Sequence, residues 1–480
     1  MALEVDKSDA KKKKCEVQEV RERSLDVCWF LLSDVPPGTV IGLDANIWTV
    51  GPNFRGIRDI PFGVHYFFYN SASITPSHSS ISGLRCSQFL YLNEPRVIRK
   101  RWVNEREEFQ DQLDGNIDAI LSNKVELNAY LGAYPRDRFA NWIALASHIT
   151  PDTIERLVPS GGWIYSCAQF QSEKSNTKDR ANLPIPPHLK RGDEADIGVC
   201  PPESIEKGDL LLPVLKTVPE TDIHWTAIPQ HPLFPPGSTS AEISQHNIDQ
   251  TYTLNHLIAQ LDTWNSENGQ KDSELDTRPT SLSRGESRLL AEFHFAFVIF
   301  LLGEVLDGWF HWRRILAVIA NCEKAVRERP IFYKTLITSL YRLFTYSDEN
   351  EKPEETSTRD SSLNDGSVRV AGLFQAGNEE NGGFAFFDGW KNCDVDEPAF
   401  LPHTMMRLFG NIAGAAETAD RKNHQVKDVL ERAEGLRICL ERRFDVKLTP
   451  HRPQSARDDG EIPVDEVNWD TDEAPVIVMD

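Results

Sequence analysis

The stretch that decides the fold is residues 39–70, TVIGLDANIWTVGPNFRGIRDIPFGVHYFFYN, in which short apolar runs alternate with turn residues. Its runs at 39–43, 47–50 and 64–69 have the length of strands and are bounded by glycine, proline or polar residues. Between 51 and 65, glycines and prolines bracket the aromatic residues so closely that several backbone turns must be tightly specified. The stretch predicts a β-rich domain, and a constrained turn is favoured over an active-site loop.

The same kind of pattern extends on both sides of this stretch. Further runs of strand length occur at 25–32, 86–92 and 96–103. The spacing of apolar residues becomes helical at 116–131 and 137–148, and residues 223–228 are predicted to return as a last strand. We therefore expect a first domain over 25–235 in which helices pack on a β-rich unit. A flexible basic extension, residues 1–24, precedes it and lacks the apolar segment of a signal peptide.

The second half of the chain carries signals for helix starts. Thr239 with Glu242, and Ser283 with Glu286, have the spacing of capping boxes, in which a hydroxyl and a carboxylate satisfy free amides of the first turn. Pro330 stands where another helix would start, because the first helical position needs no amide donor. These signals predict an all-α second domain and, with the first domain, an α+β chain.

We expect this all-α domain to cover residues 239–446. Two stretches lose periodicity and are predicted to be disordered insertions or linkers: residues 171–208, rich in Ser, Asn, Lys, Pro and Gly, and the acidic residues 348–383. Residues 447–480 are predicted to be a flexible tail. Its end, Pro475–Met479, has strand-like composition and would add a strand to the sheet edge of a partner; a merely disordered end is the alternative.

Composition favours protein partners over RNA and membranes. The formal net charge of -21 disfavours a broad surface for nucleic-acid phosphates. The eight cysteines include no Cys-x-x-Cys pair, which argues against a zinc cage and a secreted disulfide framework. The most apolar stretch, 293–306, is interrupted by His294 and Glu304 and is too short to cross a bilayer.

The sequence contains no recognisable catalytic motif. A phosphate-binding loop, a dinucleotide fingerprint, a nucleophile elbow and a zinc-protease motif are all missing. We therefore predict no catalytic residue, cofactor or metal, and a protein that is not an enzyme. The alternative is a hydrolase or transferase that uses His65 near Arg55 and Asp59, because these polar groups lie in a turn-rich region where sites often occur.

Several motifs, which occur in both domains and in the same order as in a known family, carry a resemblance to that family. They are 42–44, 48–56, 61–65, 131–135 with Trp142, 234–237, 295–303, and His311 with Trp312. Through them the chain resembles the A1-alpha2-repression (Aar-two type) splicing factor family, over about residues 25–446 and the tail. The basic extension and the two insertions depart from the family pattern.

The resemblance implies a fold and a function. It implies a β-sandwich-like first domain and a superhelical second domain of the VHS type. It also implies a non-catalytic assembly chaperone of the spliceosomal U-five snRNP, required for pre-mRNA splicing and present in cytoplasm and nucleus. Such a chaperone binds the RNase H-like and Jab/MPN domains of Prp-eight and delays docking of the Brr-two helicase. The tail residues that would bridge those domains by strand addition are Pro475, Val476, Ile477, Val478 and Met479.

Serines in the predicted linkers are candidate regulatory sites. Ser172, Ser175 and Ser361 lie in stretches without periodicity, and a phosphate there would add roughly two negative charges to a mobile segment. We state phosphorylation of these serines as a hypothesis that rests on predicted exposure.

Overall fold

The computed structural model describes residues 27–70, 84–115, 129–168, 170–172, 215–264, 281–345, 367–369, 400–419 and 424–451. A β-rich first domain is followed by a helical second domain, which confirms the predicted α+β class. None of the described helices is long and apolar enough to span a lipid bilayer.

The strands are β1 (Cys28–Ser33), β2 (Val40–Leu43), β3 (Asn46–Thr49), β4 (Gly56–Ile60), β5 (Gly63–Asn70), β6 (Arg85–Leu92), β7 (Val97–Val103), β8 (Glu108–Gly115), β9 (Leu131–Ala133), β10 (Ile164–Tyr165), β11 (Phe170–Ser172), β12 (Leu215–Thr217) and β13 (Ser367–Arg369). The helices are α1 (Phe139–Ala146), α2 (Pro151–Leu157), α3 (Ser240–Ile248), α4 (Thr251–Thr263), α5 (Arg284–Gly303), α6 (Leu306–Ala320), α7 (Glu323–Glu328), α8 (Pro330–Thr345), α9 (Phe400–Thr418) and α10 (His424–Phe444).

Two sheets form the first domain. One has the order β8-β7-β1-β4-β9 and the other has the order β10-β6-β5-β2-β3-β13, while β11 and β12 make a separate pair. β1 runs parallel to β7, and β4 runs parallel to β9. Buried apolar residues of both large sheets share one core, as in a sandwich.

Strand β5 is buried on both faces, which explains its unbroken run of aromatic residues. Alternate side chains of a strand point to opposite faces. Phe67 and Tyr69 belong to the core between the sheets, whereas Tyr66 and Phe68 belong to the core formed with the helices. The rings of Phe89 in β6 and Phe295 in α5 stack with centroids 5.1 Å apart. The two domains therefore share a continuous apolar core.

The predicted helix starts are confirmed in the second domain. Thr239 and Ser283 each accept a hydrogen bond from the amide three residues later, and the carboxylates of Glu242 and Glu286 return a bond to the capping amides. Pro330 is the first residue of α8.

Pairing between distant residues overturns several local predictions. Leu131, predicted to be the last residue of the helix 116–131, instead begins strand β9, because this segment pairs with β4. β4 itself was not predicted. Residues 223–228, predicted to be a strand, form no ladder; Ile223, Trp225 and Ile228 pack against the helical core instead.

Parts of the two predicted insertions form strands, and the first residues of the predicted tail pack on the helical domain. Gln171 and Ser172, placed in the insertion 171–208, lie in β11 because β12 supplies a pairing partner. Within the acidic insertion 348–383, Ser367–Arg369 forms β13 on the edge of β3. At the start of the predicted tail, Leu448 is fully buried. Residues 447–451 of the predicted tail are described, and the His451 amide donates to the carbonyl oxygen of Met406 at 3.0 Å. The remaining residues of the three segments lie outside the described residues.

Candidate functional site

A buried polar cluster surrounds His65, the residue of the enzyme hypothesis. Asp44 sits in a left-handed turn with φ 58° between β2 and β3. Its carboxylate accepts hydrogen bonds from His65 Nδ1 at 2.8 Å, from the Tyr134 hydroxyl at 2.5 Å and from the Tyr66 amide at 2.9 Å. His65 Nε2 lies 2.8 Å from the carbonyl oxygen of Pro61. Both ring nitrogens of His65 therefore face acceptors.

The polar atoms of this cluster are bonded to one another and to the backbone of the turn. Burial alone would lower the pKa of His65, but the charge and the hydrogen bond of Asp44 outweigh it, and the pKa is raised. The side chains of His65 and Asp44 are both 0% exposed. Asp59 pairs with the adjacent Arg58, and Arg55 is exposed. The geometry gives no support to a hydrolase or transferase site around His65.

A second buried cluster lies where the two domains meet, and Glu292 of α5 is at its centre. The Glu292 side chain is 0% exposed and its Oε2 lies 2.7 Å from Arg156 Nη1 of α2. It also accepts hydrogen bonds from the amide and hydroxyl of Thr226, at 2.8 and 2.7 Å. His311 of α6 donates through Nε2 at 2.7 Å, and its ring stacks on Trp225 at 4.1 Å.

The partners of Glu292 keep its carboxylate charged. Burial by itself would raise the pKa of Glu292, but the hydrogen bond from His311 and the positive charge of Arg156 lower it to about 2. The carboxylate therefore joins the first domain, through Arg156, to the connecting segment at Thr226 and to two helices of the second domain.

Two arginines extend this connection across the domain boundary. Arg288 of α5 pairs with Asp152 of α2 at 2.8 Å and donates to the carbonyl oxygens of Leu261 and Trp264 at 2.7 and 2.9 Å. Arg85 of β6 donates to the Leu302 carbonyl oxygen at 2.8 Å. The Arg288–Asp152 pair and the bond from Arg85 to Leu302 therefore cross the boundary between the domains.

The outer edge of the six-stranded sheet holds an added strand. Ser367 lies opposite Trp48, Val368 opposite Ile47 and Arg369 opposite Asn46, so β13 pairs antiparallel with β3. The edge of a sheet presents unpaired amides and carbonyls, and an extended segment satisfies them. In this molecule, the segment that does so comes from the same chain.

The structure describes one of the predicted site residues. Ser172 is the last residue of β11 and lies opposite Leu215 in β12, so its backbone is part of a ladder. Ser175, Ser361 and the tail residues Pro475–Met479 lie outside the described residues, and their roles stay predictions. Across the described ranges, no group of three or more His, Cys, Asp or Glu side chains is placed to hold a metal ion.

Neither Glu292 nor Arg156 was predicted from the sequence to be part of a site. A signal for Glu292 was present, because a carboxylate inside the apolar helix 289–303 must find a buried partner. No local pattern indicates that the partner is Arg156, which is 136 residues away in the chain.

Comparisons with known proteins place the chain beside one family. The model of the AAR2 N-terminal domain matches residues 26–159, and the model of the AAR2 C-terminal repeat region matches residues 225–449. The chain is 30% identical over 315 residues to the protein named Protein AAR2 homolog of Homo sapiens, covering 65% of this chain and 73% of that protein. It is 26% identical over 319 residues to the Protein AAR2 homolog of Caenorhabditis elegans, covering 65% of this chain and 77% of the relative.

Proposed function

The chain belongs to the AAR2 family, and on that premise we propose that it acts in pre-mRNA splicing as a non-catalytic binding protein. The observation that carries this proposal is the match of family models to both domains. Both halves of the fold, and the connection between them, would then serve one shared function.

We propose the Prp-eight scaffold protein as the partner. The chain would hold the RNase H-like and Jab/MPN domains of Prp-eight during assembly of the U-five snRNP, and would keep the Brr-two helicase from docking until a later stage. Such an assembly chaperone would act in the cytoplasm and the nucleus. The net charge of -21 supports a protein partner over RNA.

The connection between the domains supports a single binding surface. Glu292, Arg288 and Arg85 all bond across the boundary, so the free chain already holds the two domains at a fixed spacing. A partner that contacts both domains would then lose less conformational freedom on binding.

The tail would strengthen the binding of the partner beyond what the two-domain surface provides. Val476 and Val478 lie on one face of the predicted terminal strand, and burying each would stabilise a complex by roughly 1.5–3 kcal/mol. A tail joined to a two-domain surface also binds at high effective concentration. The pairing of β13 with β3 supports strand addition as a kind of contact that this chain makes.

The geometry at His65 supports the non-catalytic part of the proposal. Its ring is buried and both nitrogens are bonded, so a substrate would have to break a turn to reach it.

A competition experiment tests the proposal. The full chain is mixed with a Prp-eight fragment that contains the RNase H-like and Jab/MPN domains, Brr-two is added, and the complexes are separated by size-exclusion chromatography. We expect the chain to remain with the fragment and Brr-two to elute apart, whereas Brr-two should bind the fragment when the chain is omitted. A chain that never co-elutes with the fragment would contradict the proposal.

A further inference from the structure

A cavity of about 600 Å³ lies where three helices meet, away from the polar clusters described above. Its walls are the residues Ser147 and His148 that follow α1, one face of α8, and the first turn of α10 around Gln425. α1 belongs to the first domain, and α8 and α10 belong to the second. The cavity is therefore built only when the two domains are packed together.

The side chains that line the cavity bring positive charge into an acidic chain. Lys334 of α8 lies 2.5 Å from Asp428 of α10, so one ammonium group is paired with one carboxylate. Arg342, two turns further along α8, has no carboxylate partner among the described residues. Burial lowers the pKa of His148, and repulsion from the positive charge of Arg342 lowers this pKa further. Among the described residues, the cavity thus holds one cation without a paired carboxylate, although the whole chain carries a net charge of -21.

A buried hydroxyl without a partner points to the same place. Ser339 lines the cavity and is 1% exposed, and its Oγ has no hydrogen-bond partner among the described residues. The neighbouring hydroxyls of Thr335 and Thr338 donate to carbonyl oxygens one turn back at 2.9 Å. Burying an unbonded hydroxyl is destabilising. Ser339 therefore has a donor to give to a ligand in the cavity.

A cation and a hydroxyl donor both favour an anion in the cavity, and the start of α10 does so as well. The first amides of a helix have no acceptor within the helix, and the helix dipole makes this end positive. Gln425 and Asp428 place the first turn of α10, which is 21 residues long, against the cavity.

We propose that the cavity binds a small organic phosphate monoester, with its phosphate group between Arg342, Lys334 and the Ser339 hydroxyl. Free phosphate shares this chemistry but would fill little of the space, since cavities that hold small molecules measure roughly 300–1,000 Å³. Pro330 and Ile331 supply an apolar wall for the organic part.

Calorimetric titration of the full chain tests this assignment. The probes are phenyl phosphate, inorganic phosphate and uncharged phenol. We expect phenyl phosphate to bind with a Kd below about 1 mM, inorganic phosphate to bind more weakly, and phenol to show no saturable binding. Absence of saturable binding by phenyl phosphate would overturn the proposal. Equal affinity for the two phosphates would also overturn it, because the organic part would then make no contact.

Three variants test the residues. Arg342→Gln and Ser339→Ala should each weaken phenyl phosphate binding on the order of tenfold, because each removes a hydrogen bond to a charged group. Arg314→Gln is the matched control, an exposed arginine on α6 that does not line the cavity, and it should bind as the unaltered chain does. Ser339→Ala removes an unbonded hydroxyl and should fold normally by circular dichroism. If Arg342→Gln binds no more weakly than Arg314→Gln, the assigned site is wrong.

Discussion

Replacing Glu292 with glutamine tests the connection between the domains. Glutamine keeps the shape of the side chain but removes the charge and turns one acceptor oxygen into an NH₂ group. That group would face Arg156 or His311, and both of these donate to the carboxylate now. The variant leaves the Arg156 guanidinium buried without its counter-charge, since the Arg156 side chain is only 5% exposed.

The expected loss of folding stability can be obtained in two ways. Removing one partner of a buried ion pair destabilises a protein by about 3–5 kcal/mol. Independently, a carboxyl whose pKa falls from 4.5 to about 2 on folding contributes on the order of 3 kcal/mol of stability at neutral pH. Because the folded-state pKa is the lower one, this contribution is complete above the unfolded pKa. It is lost as the pH falls from about 5 towards 2.

The assay is urea unfolding followed by tryptophan fluorescence, with Trp225 close to the altered site. At neutral pH we expect the free energy of unfolding of Glu292→Gln to be about 3–5 kcal/mol below that of the unaltered chain, with a smaller difference at pH 3. Glu431→Gln is the control, because Glu431 is exposed on α10 and its loss should change stability by less than about 0.5 kcal/mol. A Glu292→Gln variant as stable as the control, or a stability difference that does not shrink at low pH, would show that the Glu292 carboxylate does not stabilise the fold through its charge.

Three further substitutions have expected outcomes, each measured by thermal or urea unfolding. Gly303→Ala should destabilise the chain by about 1–3 kcal/mol, since a Cβ there would overlap the buried Tyr66 hydroxyl; an unchanged midpoint would show that the junction can relax. Thr239→Ala removes a capping hydroxyl and should reduce stability by about 1 kcal/mol. His65→Gln should destabilise the turn at Asp44 by about 1–3 kcal/mol. Folded His65→Gln protein should bind Prp-eight normally; a specific loss of binding there would revive a functional role for this histidine.

Local signals in the sequence predicted much of the helical domain. The capping boxes at Thr239 and Ser283, and Pro330 at a helix start, report on residues three or four positions away, and the helices begin there. The strands between 39 and 70 were predicted for a similar reason, since turn residues bound each run.

Features that depend on distant residues could not be predicted from local pattern. β4 contains Gly56 at φ 136° and Asp59 at φ 62°, and its polar sequence forms a strand because β1 and β9 flank it. β13 is a strand because it pairs with β3, which lies more than 300 residues earlier in the chain. The cluster at Glu292 likewise needs Arg156 and His311 from other elements. Glu292 was not predicted to be a site residue, although its place in an apolar helix was a signal, and nothing local pointed to its neighbours.

We propose that the two-domain surface and the terminal strand of this chain act together in binding Prp-eight. The most direct test is calorimetry of the full chain, and of a chain that ends at residue 469, with the RNase H-like and Jab/MPN domains of Prp-eight. We expect tight binding by the full chain and binding at least roughly tenfold weaker after truncation, because the apolar area that Val476 and Val478 would bury is lost. Equal affinity of the two chains would contradict the role of the tail, and no binding by either chain would show that Prp-eight is not the partner.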